Sequence, residues 1–348
     1  MGVAWPRQRI LPAAAVVVAV LSWGAVARQR QPGSYGITLL GGIPGAAYPG
    51  AEAINNRGQV VVMAGLADGT QRSYLWSNGR LTDLGSLGGT RTWARDLNDR
   101  GQVVGESDTA RNEHHSFLWE RGTMRDLGTL GGRNSGAWGI NNGAQVVGQA
   151  ETRAGEMRAF LWAGGRMVPL RGVAGERGMA THVSDRGVIA GSALFGGAAS
   201  GAFVWQSGTI RRLGVLPGYD IGTVFGMNSR GQVVGRDERS GLAESAPTRS
   251  AAFLWDGQKV AELRGLGGTA HSAFGINASG QVVGVSFATR NGQRAFLITN
   301  GRTVDLNDLL PRNSGWGIHW ARDINDRGEI VGSGKYRGKS CAYLITPG

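Results

Sequence analysis

The chain has 348 residues, 37 Lys and Arg against 25 Asp and Glu for a net charge of +12, and 60 Gly with a single Cys. So much Gly excludes a largely helical protein, because each Gly in a helix interior costs about 1 kcal/mol relative to Ala, and one Cys excludes a disulfide framework. A basic chain can bind nucleic acid, membranes or acidic polymers; here Arg outnumbers Lys 34 to 3 and the basic residues scatter with no nucleic-acid motif, so nucleic acid is set aside and an anionic polymer kept.

The N-terminus reads as a leader. Arg7 and Arg9 precede an apolar run at 13–21, and Ala25-Val26-Ala27 is a small-x-small end. A basic start, a short apolar stretch and such an end predict an export signal at 1–27 rather than a membrane span, which needs about 20 apolar residues. Cleavage after Ala27 lowers the net charge by the two leader arginines. Arg28 and Arg30 directly after the site leave an uncleaved membrane anchor open as the alternative. Residues 28–34 read as a short linker, and the location is secreted, periplasmic or cell envelope.

Beyond the linker the chain copies itself. An apolar-Asn step recurs at Asn55, Asn98, Asn141, Ser184, Asn228, Asn277 and Asn325, at spacings of 43, 43, 43, 44, 49 and 48 residues. A closing Leu-Trp step recurs at Trp76, Trp119, Trp162, Trp205 and Trp255, with Ile298 and Ile345 in the last two copies. Within the second copy, four short Val/Ile/Phe/Trp-rich segments, 94–98, 102–105, 116–119 and 124–127, are bounded by turn residues, and no helical 3,4 spacing is present. In Asn98-Asp99-Arg100-Gly101 and Glu120-Arg121-Gly122 the Gly supplies the positive φ that a tight turn requires. Four strands per repeat of about 43 residues match a β-propeller blade. The reading is therefore a single all-β domain over 35–348, a seven-bladed propeller with four antiparallel strands per blade. Its last blade is completed by the spare segment 35–40, YGITLL. Such a closure hides strand edges, and a monomer is expected.

The landmarks LGxLGG, IN-x-x-GQVVG and AFLW resemble those of the secreted HAF-repeat proteins, across all seven copies. The namesake triplet varies: it reads Arg72-Ser73-Tyr74, His115-Ser116-Phe117, Arg158-Ala159-Phe160, Gly201-Ala202-Phe203 and Arg294-Ala295-Phe296 in five copies, so His survives once. A role requiring a ring of histidines is excluded. The resemblance implies an extracellular or envelope location and a propeller-like fold, and carries no established activity.

Function is expected on the variable loops, 108–114, 193–200, 236–249 and 333–339, and at the channel mouth. The two residues before each apolar-Asn step are Glu52-Ala53, Arg95-Asp96, Trp138-Gly139, Thr181-His182, Phe225-Gly226, Phe274-Gly275 and Arg322-Asp323. The ionisable pairs fall in copies seven, one and two, which a ring makes neighbours. Arg322, Asp323, Glu52, Arg95 and Asp96 are therefore expected to form one charged patch, with Trp138, Trp320, His182 and His319 beside it as binding residues. The plainer alternative is that the Arg-Asp pairs knit the closure joint. The five histidines share no metal-ligand spacing, the Asn-Asp turns lack a calcium pattern, no catalytic elbow or phosphate loop is present, and no cofactor is called for. Cys341 reads as a buried strand residue. The function expected is a non-enzymatic binding module for an extracellular ligand or partner. The rival is a hydrolase or lyase on polysaccharide or peptide using Glu52, Asp96 and Asp323, favoured if two of these carboxyls face each other across a pocket and disfavoured if each is locked onto Arg95 or Arg322.

Overall fold

Within each four-stranded unit of the described residues, neighbouring strands pair antiparallel, as short Gly-separated β segments favour, and single parallel bridges such as Gln71 to Arg91 link one unit to the next. A computed structural model describes residues 35–41, 43, 45–173, 178–195, 199–239, 249–288 and 292–348. The leader 1–27, the linker 28–34 and the parts 196–198 and 240–248 of the variable loops 193–200 and 236–249 lie outside the described residues. The described chain belongs to one compact unit, Pro32–Gly348.

Seven four-stranded antiparallel units follow one another. The second is typical: Gly88–Leu97, Val103–Thr109, His114–Glu120 and Thr123–Asp126. Its first strand starts six residues earlier than the apolar pattern of 94–98 indicated, because Gly88 opens the pairing, opposite Thr109. The unit that ends the chain contains Trp316–Ile324, Ile330–Tyr336 and Lys339–Pro347. Its fourth strand is Tyr35–Leu39, paired antiparallel to Lys339–Pro347 with Ile37 opposite Ile345. Among the described residues the only helical element is a 3-10 turn at Leu306–Leu309.

The turns follow from residue type. Gly101 N–H donates to the Asn98 carbonyl at 3.0 Å, with Gly101 at φ +78°. In the hairpin between third and fourth strands both central residues are left-handed, Arg121 at +50° and Gly122 at +86°. That is the twist-matching hairpin turn, which favours Asn-Gly, and Asn78-Gly79 and Asn300-Gly301 occupy the same place in other repeats.

The repeated Asn is a cross-link. The Asn98 side-chain oxygen accepts from the main-chain N–H of Arg100 and Gln102, fixing its own turn. Its Nδ2 donates to the Gln102 side chain and, at 3.0 Å, to the Asn141 carbonyl of the next repeat. Equivalent bonds run from Asn55 to Asn98, Asn141 to Ser184, Asn228 to Asn277, Asn277 to Asn325, and Asn325 to Asn55. Ser184 has no amide; its Oγ accepts from Val188 N–H within its own turn.

The core lies between repeats. Seven apolar clusters are each shared by two consecutive units. One joins Ala53, Val61 and Leu75 of the first repeat to Ala94, Val103 and Phe117 of the second, and another joins Leu40, Ile54 and Val60 to Val331 and Leu344 of the last. The Phe of the AFLW step is fully buried at 117, 160, 203, 253 and 296, and Tyr343 replaces it in the last repeat. The first residue of the HAF-type triplet reaches across to an Asp on the fourth strand: Arg72 to Asp83 at 3.8 Å, His115 to Asp126 at 2.7 Å, and Arg294 to Asp305. His115 thus takes the place beside the fourth-strand Asp that Arg takes elsewhere. Cys341 is buried, and burial pushes its thiol up to about 11.

Replacing Asn98 by Ser, the residue repeat four carries, is expected to lower unfolding stability by about 1–3 kcal/mol, since buried main-chain groups lose partners. Asn98→Asp is expected to cost more, because it sets a carboxylate against the Asn141 carbonyl; chemical denaturation with Asp equal to or better than Ser would contradict the cross-link. Deleting residues 35–40 leaves one edge of the strand at Lys339–Pro347 unpaired, so lower melting and aggregation are expected; a monomer with unchanged melting contradicts the pairing.

Candidate functional site

All seven first strands share one irregularity. Their registers shift at Ala51/Ala53, Ala94/Asp96, Ala137/Gly139, Ala180/His182, Val224/Gly226, Ala273/Gly275 and Ala321/Asp323. A β-bulge places one extra residue in the strand and re-aims its side chains. In each repeat the bulge takes in the two residues that precede the apolar-Asn step, so repeat-to-repeat variation at that pair is concentrated at one place in space. Gly105 shows how close the strands lie there: a Cβ would run into the Trp93 carbonyl oxygen.

A cavity of about 750 Å³ gathers these positions from all seven repeats, among them Glu52, Arg95, Asp96, Trp138, Thr181, His182, Phe225, Phe274, Arg322 and Asp323. It adjoins a second cavity of about 310 Å³ walled by the Asn turns, the two sharing Ile140, Val183, Met227, Ile276 and Asp323. The five ionisable residues of the sequence-derived patch therefore meet in one cavity, with Trp138 and His182. Trp320 and His319 are not among its lining residues. Trp320 is half-buried, 5.7 Å from the Phe274 ring, its Nε1 donating to Gln293.

Neighbours along the strand do different work. Arg95 donates to Glu106 at 2.7 Å and lies over the Trp138 ring at 4.4 Å. Arg322 lies over the Phe274 and Trp320 rings at 4.9 and 5.0 Å, with Glu52 at 3.9 Å. The aspartates beside them turn to the joints between repeats. Asp96 accepts from Leu97 N–H at 2.8 Å and, across the joint, from Ile140 N–H at 2.9 Å. Asp323 accepts from Ile324 N–H at 2.8 Å and, across the seventh–first joint, from Ile54 N–H at 2.9 Å. Asp96 and Asp323 are held by main-chain N–H groups rather than locked onto the Arg that precedes each, while Glu52 keeps Arg322 beside it at 3.9 Å.

Both aspartates are half-buried, and what exposure they keep is to the cavity, so protein surrounds them. Burial raises Asp96 to about 6 and Asp323 to about 7, against the lowering effect of their N–H donors. Nearby Asp96 raises Asp323 further. Burial lowers His182 to about 4, so the ring is neutral at pH 7, with Nδ1 3.0 Å from the Thr181 hydroxyl. Burial also lowers His319, with Lys335 adding to it. Among the described residues no group of three or more His, Cys, Asp or Glu could hold a metal ion, and no helix is long and apolar enough to cross a membrane.

Sequence reasoning missed Glu106 and Tyr48. Glu106 follows the Gly of the QVVG step and sits opposite Trp93, in register with the first strand; the signal was an acid one residue beyond a repeated landmark. Tyr48 lies outside the repeat pattern and lines the cavity while 80% exposed.

Solved structures resemble this arrangement. A streptogramin B lyase structure superposes with a TM-score of 0.57 at 10% identity, covering 90% of this chain and 98% of that one. The β-propeller domain of the Trilobed protease from Pyrococcus furiosus gives 0.53 at 9% identity, covering 87% and 96%. This is a propeller-like, all-β fold. A puromycin-hydrolyzing peptidase from Mycobacterium tuberculosis gives 0.54 at 12% identity over 83% of this chain and 48% of that one. At such identities the likeness shows the fold alone. No family model and no curated protein matches the chain.

The raised aspartates set a pH dependence. A carboxyl whose folded pKa exceeds its unfolded value of about 3.9 stabilises the fold fully below that value, and the contribution is lost as pH rises through the folded pKa. For Asp323 the window runs from about 4 to about 7. Neutral His182 acts in the opposite sense below its unfolded value of about 6.5, so the informative quantity is a difference. Relative to Asp323→Asn, the wild type is expected to gain stability as pH falls from about 8 to about 5; urea midpoints showing the reverse would overturn the assignment.

Proposed function

We propose that this protein is an exported seven-bladed propeller of the HAF-repeat kind, closed into a ring by its first and last strands, and that the wide cavity at the channel mouth binds an extracellular ligand or partner. Closure is supported by the recurrence between the seventh and first repeats of what joins the others: an apolar cluster and the Asn325 to Asn55 bond. Export rests on the leader pattern of residues 1–27, and membrane attachment would follow only if that leader is retained.

The observation that carries binding over catalysis is the fate of the carboxylates. General acid-base chemistry needs carboxyls whose protons can reach a substrate. Asp96 and Asp323 instead accept main-chain N–H bonds on both oxygens, one of them across a joint between repeats, so their bonding is that of groups that fasten the scaffold. The cavity lining includes aromatic and guanidinium groups, Trp138, Phe225, Phe274, Arg95 and Arg322, at positions that vary from repeat to repeat, as a recognition surface built on a constant scaffold does.

Expressed in a secreting bacterium, the chain is expected in the periplasm or medium with Arg28 as its first residue by mass spectrometry; a cytoplasmic product of full mass overturns export. The purified product is expected to retain members of a glycan or peptide array, and joint Arg95→Ala and Arg322→Ala substitution to weaken that retention. Retention of nothing on either array would sink the binding reading.

A further inference from the structure

Resting on the reading of the cavity as a binding site, we infer that its ligand is a neutral saccharide, seated where Tyr48, Glu52 and Arg322 meet the cavity at the first and seventh repeats. Three separate observations carry this.

The first is Tyr48. Large apolar side chains exposed to solvent among the described residues are Leu39, Tyr48 and Val168, and of these Tyr48 alone lines the cavity, at 80% exposure. A flat ring with a polar tip, left in water at the rim of a cavity, is suited to stacking against the C–H face of a sugar ring.

The second is an unmade hydrogen bond. The Arg322 guanidinium is oriented by the Phe274 and Trp320 rings. Its Nε stands 3.9 Å from Glu52 Oε2, beyond hydrogen-bond reach. A donor and an acceptor held side by side without bonding each other match two adjacent hydroxyls, one accepting from Arg322 and the other donating to Glu52. The equivalent Arg95 offers no such gap, since it is closed onto Glu106 at 2.7 Å.

The third is charge. The cavity wall carries Arg95 and Arg322 together with Glu52, Asp96 and Asp323. Each guanidinium of the wall already has a carboxylate beside it, Glu106 for Arg95 and Glu52 for Arg322, and the aspartates are taken up by main-chain N–H groups, so an uncharged ligand that both donates and accepts hydrogen bonds is favoured.

The test is a printed array of neutral and acidic glycans, with peptides as a third class, probed with the purified full chain at low and high salt. Neutral glycans are expected to be retained, with signals that salt does not change. Tyr48→Ala is expected to weaken retention by about three- to tenfold, the worth of one aromatic contact, and to leave the melting temperature unchanged because that side chain is exposed. Glu52→Ala is expected to weaken the same glycans. Retention of acidic glycans only, lost at high salt, or indifference to Tyr48→Ala overturns the inference. Retention of peptides alone overturns the saccharide class and leaves the binding-module reading standing, while retention of nothing removes both.

Discussion

The architecture depends on the asparagine that ends each first strand. One side chain answers two problems: its oxygen accepts two main-chain N–H groups of its own turn, and its amide reaches the carbonyl of the same residue in the next repeat. No other side chain of that length offers both an acceptor with two lone pairs and two donors. Because the bonded carbonyl belongs to the next copy of the donor, the same bond sets the spacing between consecutive units wherever Asn is present. Ser184 is the one interruption. The sheets beside it still meet through the cluster that joins Ala190, Ala202 and Val204 to Val224, Val233 and Phe253, so packing carries that joint without the amide.

The bulge beside the asparagine divides structure from recognition. Asp96 and Asp323 sit one residue after Arg95 and Arg322 yet bond the main chain of the following repeat, while the arginines stack on aromatic rings of the cavity. A carboxylate taking N–H bonds across a joint gains hydrogen bonds and loses hydration. The loss is the larger effect here, as the raised pKa of both shows. Variation at the neighbouring position leaves those bonds untouched, which is how a repeat scaffold carries unlike residues on one wall.

The fold was legible because its signals are periodic. The spacing of the asparagines, the Gly-closed turns and the segment at 35–40 each follow from rules local to one repeat or from counting between repeats, and Tyr35–Leu39 pairs where the count placed it. The candidate site was legible in part for the same reason: aligning the pair before each asparagine collected Glu52, Arg95, Trp138, His182 and Arg322, all of which line the cavity. Tyr48 was invisible to that alignment because it lies outside the repeat. His319 and Trp320 were drawn in by closeness in sequence, and neither is among the residues that line the cavity.

By itself the sequence determined that this is an all-β chain of seven similar units, since hydrophobic period, turn chemistry and repeat length are properties of the chain alone. Only the tertiary structure decided which way each member of the charged pairs turns. Two adjacent residues on a bulged strand take different partners, one the aromatic rings and the other main-chain N–H groups across the joint, and those partners come from repeats about forty residues away or from the other end of the chain. The gap between Arg322 and Glu52 belongs to the same class, because it depends on how Phe274 and Trp320 orient a guanidinium, and no spacing in the sequence encodes that.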